Sequence, residues 1–212
     1  GGRRRASAGH WARMALKQGK EVWTVTRGKR SLPEGVHPIT VDRNEEEAFA
    51  KALNDCQMRW DAVFDCICMT PEHGRQDLEL LPQVTDRLIV VSTDSVYDPD
   101  HKKVPQDENG EAYVHDSSYA GLKRQMEEVF LAAQDSRLNW TLFRPGHIYG
   151  PDFSSAAIRN TAARKIFSSI SVRTVRCAWW AGQVFDSATF AEDLAESMLD
   201  CVDKEKTFHE IF

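Results

Sequence analysis

Tyr119 and Lys123 stand four residues apart in the stretch SSYAGLKRQMEEVF, residues 117–130. A helix there puts both side chains on one face. A phenol ordinarily titrates near about 10 and is a poor acid–base group at neutral pH, but an ammonium beside it favours the phenolate. Tyr119 can then take a proton from a substrate hydroxyl, or give one to a carbonyl. Such spacing is common on helix surfaces, so its weight comes from its surroundings. Upstream, LIVVSTDSVYDP (88–99) is an apolar run that ends in Ser92, Thr93, Asp94 and Ser95. A hydroxyl at that strand end can hold a substrate oxygen and stabilise developing charge, although hydroxyls after a strand also serve as plain turn formers. Downstream, TLFRPGHIYGP (141–151) closes another run with Arg144, Pro145, Gly146 and His147.

The elements that must carry these groups follow from hydropathy. Residues 22–25, 39–41, 62–69, 88–91 and 140–143 read as strands. Residues 44–57, 118–133 and 191–202 read as helices, the first burying Phe49 and Leu53. The unbroken LIVV is expected where both faces of a strand are covered. Strand–helix alternation at this spacing indicates a parallel sheet with right-handed crossovers. Cys66 and Cys68 alternate along the 62–69 strand and are expected to share one buried face. Residues 150–182 lack this rhythm and read as an insertion or cap, with Trp179 and Trp180 packing it or lining a pocket.

The N-terminal stretch has Gly1-Gly2, a basic run, Gly9 and His10, then a helix through Leu16, a turn at Gly19 and the strand EVWTV. A glycine-rich turn entering a helix and then a second strand is the arrangement that cradles a dinucleotide. The strand that should precede those glycines, central in a doubly wound sheet, is absent from the sequence. An open place would leave two sheet edges unpaired. An apolar run of about five residues upstream of Gly1, or another segment paired into the slot, is therefore expected. A central slot left empty and solvent-filled in an otherwise ordered sheet would sink the whole fold assignment.

At 212 residues, 42% hydrophobic and 28% charged, the chain suits one globular domain with a small annex. No run approaches the roughly 18 apolar residues of a membrane span, and no secretory leader is read, so a cytoplasmic protein is expected. Cys56, Cys66, Cys68, Cys177 and Cys201 are odd in number and lack metal-ligand spacing, and the seven histidines are scattered. Neither a disulfide scaffold nor a metal site is expected. The formal net charge is −5, yet residues 1–30 hold nine basic side chains and a single acid, Glu21. Such a patch suits a small anion or a nucleic-acid backbone; the acidic remainder argues against a general nucleic-acid binder.

Taken in order, STDSVYDP, YAGLK and LFRPGHIYGP resemble the extended short-chain dehydrogenase/reductases, the NAD(P)-dependent sugar epimerase/dehydratase group. ATFAEDLAESML (188–199), with Asp193 near a helix start, is similar to the segment after that family's substrate loop. The resemblance covers roughly residues 19–212. It implies an α/β fold, a Rossmann-like doubly wound parallel sheet over residues 1–149, and a small C-terminal substrate-binding cap with returning Rossmann elements over 150–212. The family's catalytic hydroxyl lies four residues before the tyrosine of the strand-end signature, and counting back from Tyr97 gives Thr93. Tyr119 and Lys123 take the tyrosine and lysine roles, Lys123 also orienting the cofactor ribose. Asp94 follows Thr93 as in sugar-nucleotide reductases carrying STDYVF, text that does not settle the reaction.

The resemblance also implies a cofactor site. Gly1 and Gly2 match the opening of the family's glycine turn, and its last glycine falls near Ala8 or Gly9, one residue out of register. The arginines between either grip the pyrophosphate or obstruct it. The second strand ends TVTRGKR, with no acid for the adenosine ribose hydroxyls; Arg27, Lys29 and Arg30 invite a 2′-phosphate instead, so NADP is expected rather than NAD. Asp42-Arg43 resembles the pair that flanks the adenine, the plain alternative being that Asp42 caps the next helix. Pro145 and His147 fall on the nicotinamide or substrate side. The expected function is hydride transfer at a hydroxyl or carbonyl carbon of a sugar nucleotide or related small molecule. The alternative is a non-catalytic Rossmann-fold protein binding a dinucleotide or RNA through its basic N-terminal region. Neither a membrane nor nucleic acid is the expected partner, and a homodimer is compatible with the sequence.

Overall fold

A computed structural model describes residues 6–29, 31–103, 106–110, 112–149 and 188–212. Its elements are α1 (Ala6–Lys17), β1 (Val22–Thr26), β2 (Val36–Thr40), α2 (Glu46–Asp55), β3 (Val63–Asp65), α3 (Pro71–Leu80), β4 (Arg87–Val91), α4 (Tyr119–Leu131), β5 (Asn139–Phe143), β6 (His147–Tyr149), β7 (Ala188–Phe190), α5 (Ala191–Asp200) and β8 (Glu210–Ile211). Every pairing between these strands is parallel: β1 with β2, then β3-β4-β5-β8 in that order, then β6 with β7. Among the described residues no helix is long and apolar enough to cross a membrane.

Alternation along β4 divides the core. Leu88 and Val90 pack with Phe49, Leu53, Met126, Phe130, Trp140 and Leu142, beneath α2, α3 and α4. Ile89 and Val91 face the other way, onto Phe143 and onto Leu194 and Met198 of α5. All five residues of β4 are buried, which is why LIVV carries no polar position. Burying a large apolar side chain contributes about 1.5–3 kcal/mol, so this strand and the helices on either face anchor the fold.

Among the described residues no segment pairs between β1 and β3, so the expected second filling of the central slot is not met there. Side chains join the two sheets instead. Trp11 of α1 lies on Phe64 of β3 with ring centroids 3.9 Å apart; α1 also packs against α5. On the other layer Val25 and Val41 pack onto the first core. Among the described residues this packing, rather than a continuous hydrogen-bonded ladder, joins the two parallel sheets. Residues 150–187, with Trp179, Trp180 and most of the expected cap, lie outside the described residues.

The strand expected over 62–69 is shorter. Asp65 ends it, its carboxylate accepting the Ile67 N–H at 2.6 Å, and the turn breaks the alternation. Cys68 consequently joins the first core and Cys66 packs against the second, so the two do not share one face. Arg87 opens β4 as a buried staple. Its guanidinium donates to Thr141 Oγ1 (2.7 Å), Thr207 Oγ1 (3.0 Å), the Asn139 carbonyl (2.8 Å) and the Cys201 carbonyl just past α5 (2.8 Å). The last of these satisfies a carbonyl orphaned by the helix end. Burial lowers the Arg87 pKa to about 10.

Candidate active site

The carboxyl ends of β3, β4 and β5 meet the start of α4. Ser118 caps that helix by accepting the Gly121 N–H at 3.3 Å. A methyl group at Gly121 would run into the Asp116 carbonyl, so glycine alone lets the 116–118 turn lie against the first helical turn that carries Tyr119. Tyr119 is 55% exposed. Lys123, one turn later, is 1% exposed and its Nζ donates to the carbonyls of Cys68 and Val91, each at 2.6 Å. Burial pushes its pKa down. An ammonium has three donors, and two hold the ends of β3 and β4 together.

Thr93 lies two residues past β4. Its Oγ1 accepts the Ser95 N–H at 3.2 Å and lies 3.2 Å from Ser95 Oγ, capping a short 3₁₀ turn over 94–96. The Asp94 N–H donates to the Pro145 carbonyl at 3.0 Å, tying this turn to the end of β5. Pro145 is buried and His147 exposed. The neighbours of Thr93 and Tyr119, among them Asp94, Ser95, Ser118, Ala120 and His147, line a cavity of about 750 Å³.

One wall of that cavity is held by a buried charge pair that hydropathy does not anticipate. Glu127, fully buried, accepts from Arg144 Nε (2.9 Å) and Nη2 (2.7 Å), from Arg124 Nη1 (3.2 Å) and from the Ser92 hydroxyl (2.6 Å). Arg144 Nη1 donates to the Tyr97 hydroxyl (2.8 Å) and the Glu108 carbonyl (3.1 Å). Tyr97 stacks on Tyr113, ring centroids 5.6 Å apart, and the Arg124 guanidinium lies 3.7 Å from the Tyr113 centroid. Burial works against the Arg144 charge, but Glu127 raises its pKa above the usual arginine value. Ser92 is thus committed to Glu127, whereas Thr93, also buried, bonds within its own turn to Ser95. The sequence signal for Glu127 is its place one turn after Lys123, on the same face of α4.

The expected cofactor residues separate into groups. Arg27, just past β1, pairs with Asp42 at 3.6 Å and keeps 60% of its side chain exposed; Lys29 is exposed beyond it. Gly9 lies inside α1 rather than in a turn before it. Gly1, Gly2 and Arg30 fall outside the described residues. Asp42 accepts the Asn44 N–H at 3.1 Å, which holds its carboxyl below the usual range with help from Arg27. It does not cap α2, whose cap position is Glu45.

The Arg43 side chain, expected beside an adenine, is turned into the core. It pairs with Asp65 and with Asp77 (2.9 Å), and donates to Gln76 Oε1 (3.1 and 3.0 Å) and the His73 carbonyl (3.2 Å). All three guanidinium nitrogens bond to β3 and α3, and the side chain is buried among them rather than facing a base. Ligand atoms of Asp65, Cys68 and Asp77 lie within 4.8 Å of one another, yet Arg43 already neutralises the group and burial pushes the Cys68 thiol up; this is a cation's seat already taken. Burial raises the Asp65 pKa, but Arg43 outweighs it and holds the carboxyl low. Burial and the Asp65 charge push the Asp77 carboxyl well up.

The raised Asp77 pKa sets a pH prediction. An unfolded aspartate ionises above about pH 4, while the folded carboxyl is held higher, so between the two values folding takes up a proton and stability falls as pH rises. Asp77→Asn keeps the neutral shape and removes the linkage. Relative to the wild type, the variant gains stability as pH rises above about 4, measured by denaturant unfolding near that pH and at neutral pH. Parallel profiles for the two proteins would show that Asp77 is ionised in the fold.

A family model described as the NAD dependent epimerase/dehydratase family matches residues 75–210, more than half of the chain. No curated protein sequence is significantly similar. Among solved structures, the epimerase Mth375 from Methanothermobacter thermautotrophicus is 15% identical with a TM-score of 0.71, the match covering 97% of this chain and 67% of that one. The UDP-glucose 4-epimerase of Thermus thermophilus, solved with NAD, is 19% identical with a TM-score of 0.63, covering 96% and 72%. A short-chain dehydrogenase/reductase from Veillonella parvula, in complex with NADP, is 15% identical with a TM-score of 0.62, covering 96% and 87%. At these identities the likeness is one of fold.

Proposed function

Because the chain belongs to the NAD dependent epimerase/dehydratase family, we propose that it is an NADP-using oxidoreductase or epimerase acting at a hydroxyl or carbonyl carbon of a sugar nucleotide or related small molecule. The observation that carries this reading is the packing of α4, which opens at Tyr119 and bonds through Lys123 to the ends of β3 and β4, against the 94–96 turn that Thr93 caps. NADP, when bound, would supply the hydride acceptor and donor. The Thr93 hydroxyl holds the substrate oxygen. Tyr119 takes the hydroxyl proton in oxidation and returns it in reduction, its exposed position giving substrate access. Lys123 fixes the strand ends through two of its three donors, and in this reading the third goes to the cofactor ribose. Two fold relatives were solved with NAD and with NADP, which supports the cofactor class.

The residues present fit NADP at the adenosine end. Arg27 and Lys29 lie exposed just past β1, and no acid stands between residues 22 and 29. An exposed pair such as Arg27–Asp42 contributes about 1 kcal/mol or less, so it yields to a phosphate gripped by the guanidinium fork. Arg27→Ala weakens NADPH binding about tenfold or more and leaves NADH nearly untouched, read by titrating both cofactors against both proteins. Equal losses would assign Arg27 to the fold or the shared pyrophosphate. Turnover of NADPH against a sugar-nucleotide and carbonyl panel tests the reaction itself; binding of neither cofactor would favour the non-catalytic reading.

A further inference from the structure

Beside Thr93 and Tyr119 the cavity carries an ion pair that the proposed chemistry does not use. Lys102 Nζ lies 3.1 Å from Asp94 Oδ2, the side chains being 17% and 11% exposed. Both residues line the cavity, and so do Asp98 and Asp116. We propose that the Asp94–Lys102 pair makes this cavity select a neutral polyhydroxylated ring over one bearing a carboxylate; the inference rests on the sugar-nucleotide reading above.

The argument is one of complementarity. An ammonium keeps donors beyond the one given to its carboxylate, and a carboxylate has about four lone-pair sites. Side by side they offer a donor and an acceptor at neighbouring points, which two adjacent hydroxyls of a sugar answer. A carboxylate on the ligand meets a lysine already paired with Asp94, and among the described residues faces three carboxylates against one ammonium. Partly desolvated like charges oppose each other strongly enough to discriminate. Asp98 accepts the Asp100 N–H at 2.9 Å and pairs with His101, and both hold its carboxyl below the usual range. Asp116 is held low in the same way by Ser118. The pair is also preorganised. Asp94 is tied to Pro145 through its N–H, the turn leading to Lys102 is fixed by Asp98, and the Tyr97–Tyr113 wall behind it is clamped by Arg144 and Arg124.

The test is calorimetric titration of the whole chain with UDP-glucose, UDP-glucuronic acid and UDP. In the wild type UDP-glucose binds about tenfold or more tighter than UDP-glucuronic acid. Asp94→Asn narrows that ratio to about threefold or less by improving the uronate. Lys102→Met widens it by weakening the uronate further. Thermal melts establish that each variant is folded. Equal affinity for the two sugar nucleotides, or a ratio that Lys102→Met leaves unchanged, overturns the proposal while leaving the sugar-nucleotide reading standing. Binding of none of the three ligands overturns both.

Discussion

Tyr119→Phe lowers turnover by about 100-fold or more and leaves cofactor affinity nearly unchanged, the usual weight of a positioned acid–base group. The substitution removes one oxygen from a side chain that is 55% exposed. The phenyl ring stays, the Ser118 cap on Gly121 stays, and Lys123 keeps its two carbonyl partners. Stability therefore changes by less than about 0.5 kcal/mol, as surface substitutions do. A loss of turnover without a loss of folding or cofactor binding assigns the effect to proton transfer. The measurement pairs steady-state turnover with an NADPH titration and a thermal melt. Full activity in the phenylalanine variant would remove Tyr119 from the mechanism, and the exposed phenol would then be an ordinary surface residue.

Glu127→Ala carries the largest expected effect on stability. Arg144, 3% exposed, would keep its charge and lose both bonds of its fork. Removing one partner of a buried pair costs about 3–5 kcal/mol, because the charge left behind is uncompensated. For a chain of this size that lowers the melting temperature by about 10 °C. Glu127→Gln keeps the volume and part of the hydrogen bonding and loses less. Since Arg144 also holds the Tyr97 hydroxyl and the Glu108 carbonyl, near-ultraviolet circular dichroism of the tyrosines should change with the alanine variant. A cost under about 1 kcal/mol would mean that water reaches Arg144 and that the pair behaves as an exposed one.

Period and punctuation make some of this legible in the sequence itself. The LIVV run announces a strand covered on both faces, and Ser118 before YAGLK announces a helix start. The strand expected over 62–69 fails because Asp65 reads as an interruption too brief to end a strand, although its carboxylate bends the chain through the Ile67 N–H. The buried charges are invisible for a different reason. Arg43, Arg87, Glu127 and Arg144 are residue types that ordinarily lie at the surface. Their partners are distant in sequence: Arg43 meets Asp77, and Arg87 meets Cys201 and Thr207. Hydropathy has no term for a charge whose partner comes from another layer. The Asp94–Lys102 pair hides similarly, Lys102 sitting in a polar loop with nothing local to aim it.

The pairing between strands also sets how the molecule opens. Among the described residues β1 and β2 are hydrogen-bonded only to each other, and a two-stranded ribbon is marginal in water by itself. Their backbone protection therefore depends on side chains borrowed from elsewhere, Trp11 on Phe64 and Val25 on the first core. β4 has a strand on each edge and a helical layer on each face. In deuterium the β1 and β2 amides exchange through a partial opening that detaches the ribbon while the rest stays folded, and the β4 amides wait for the whole chain to unfold.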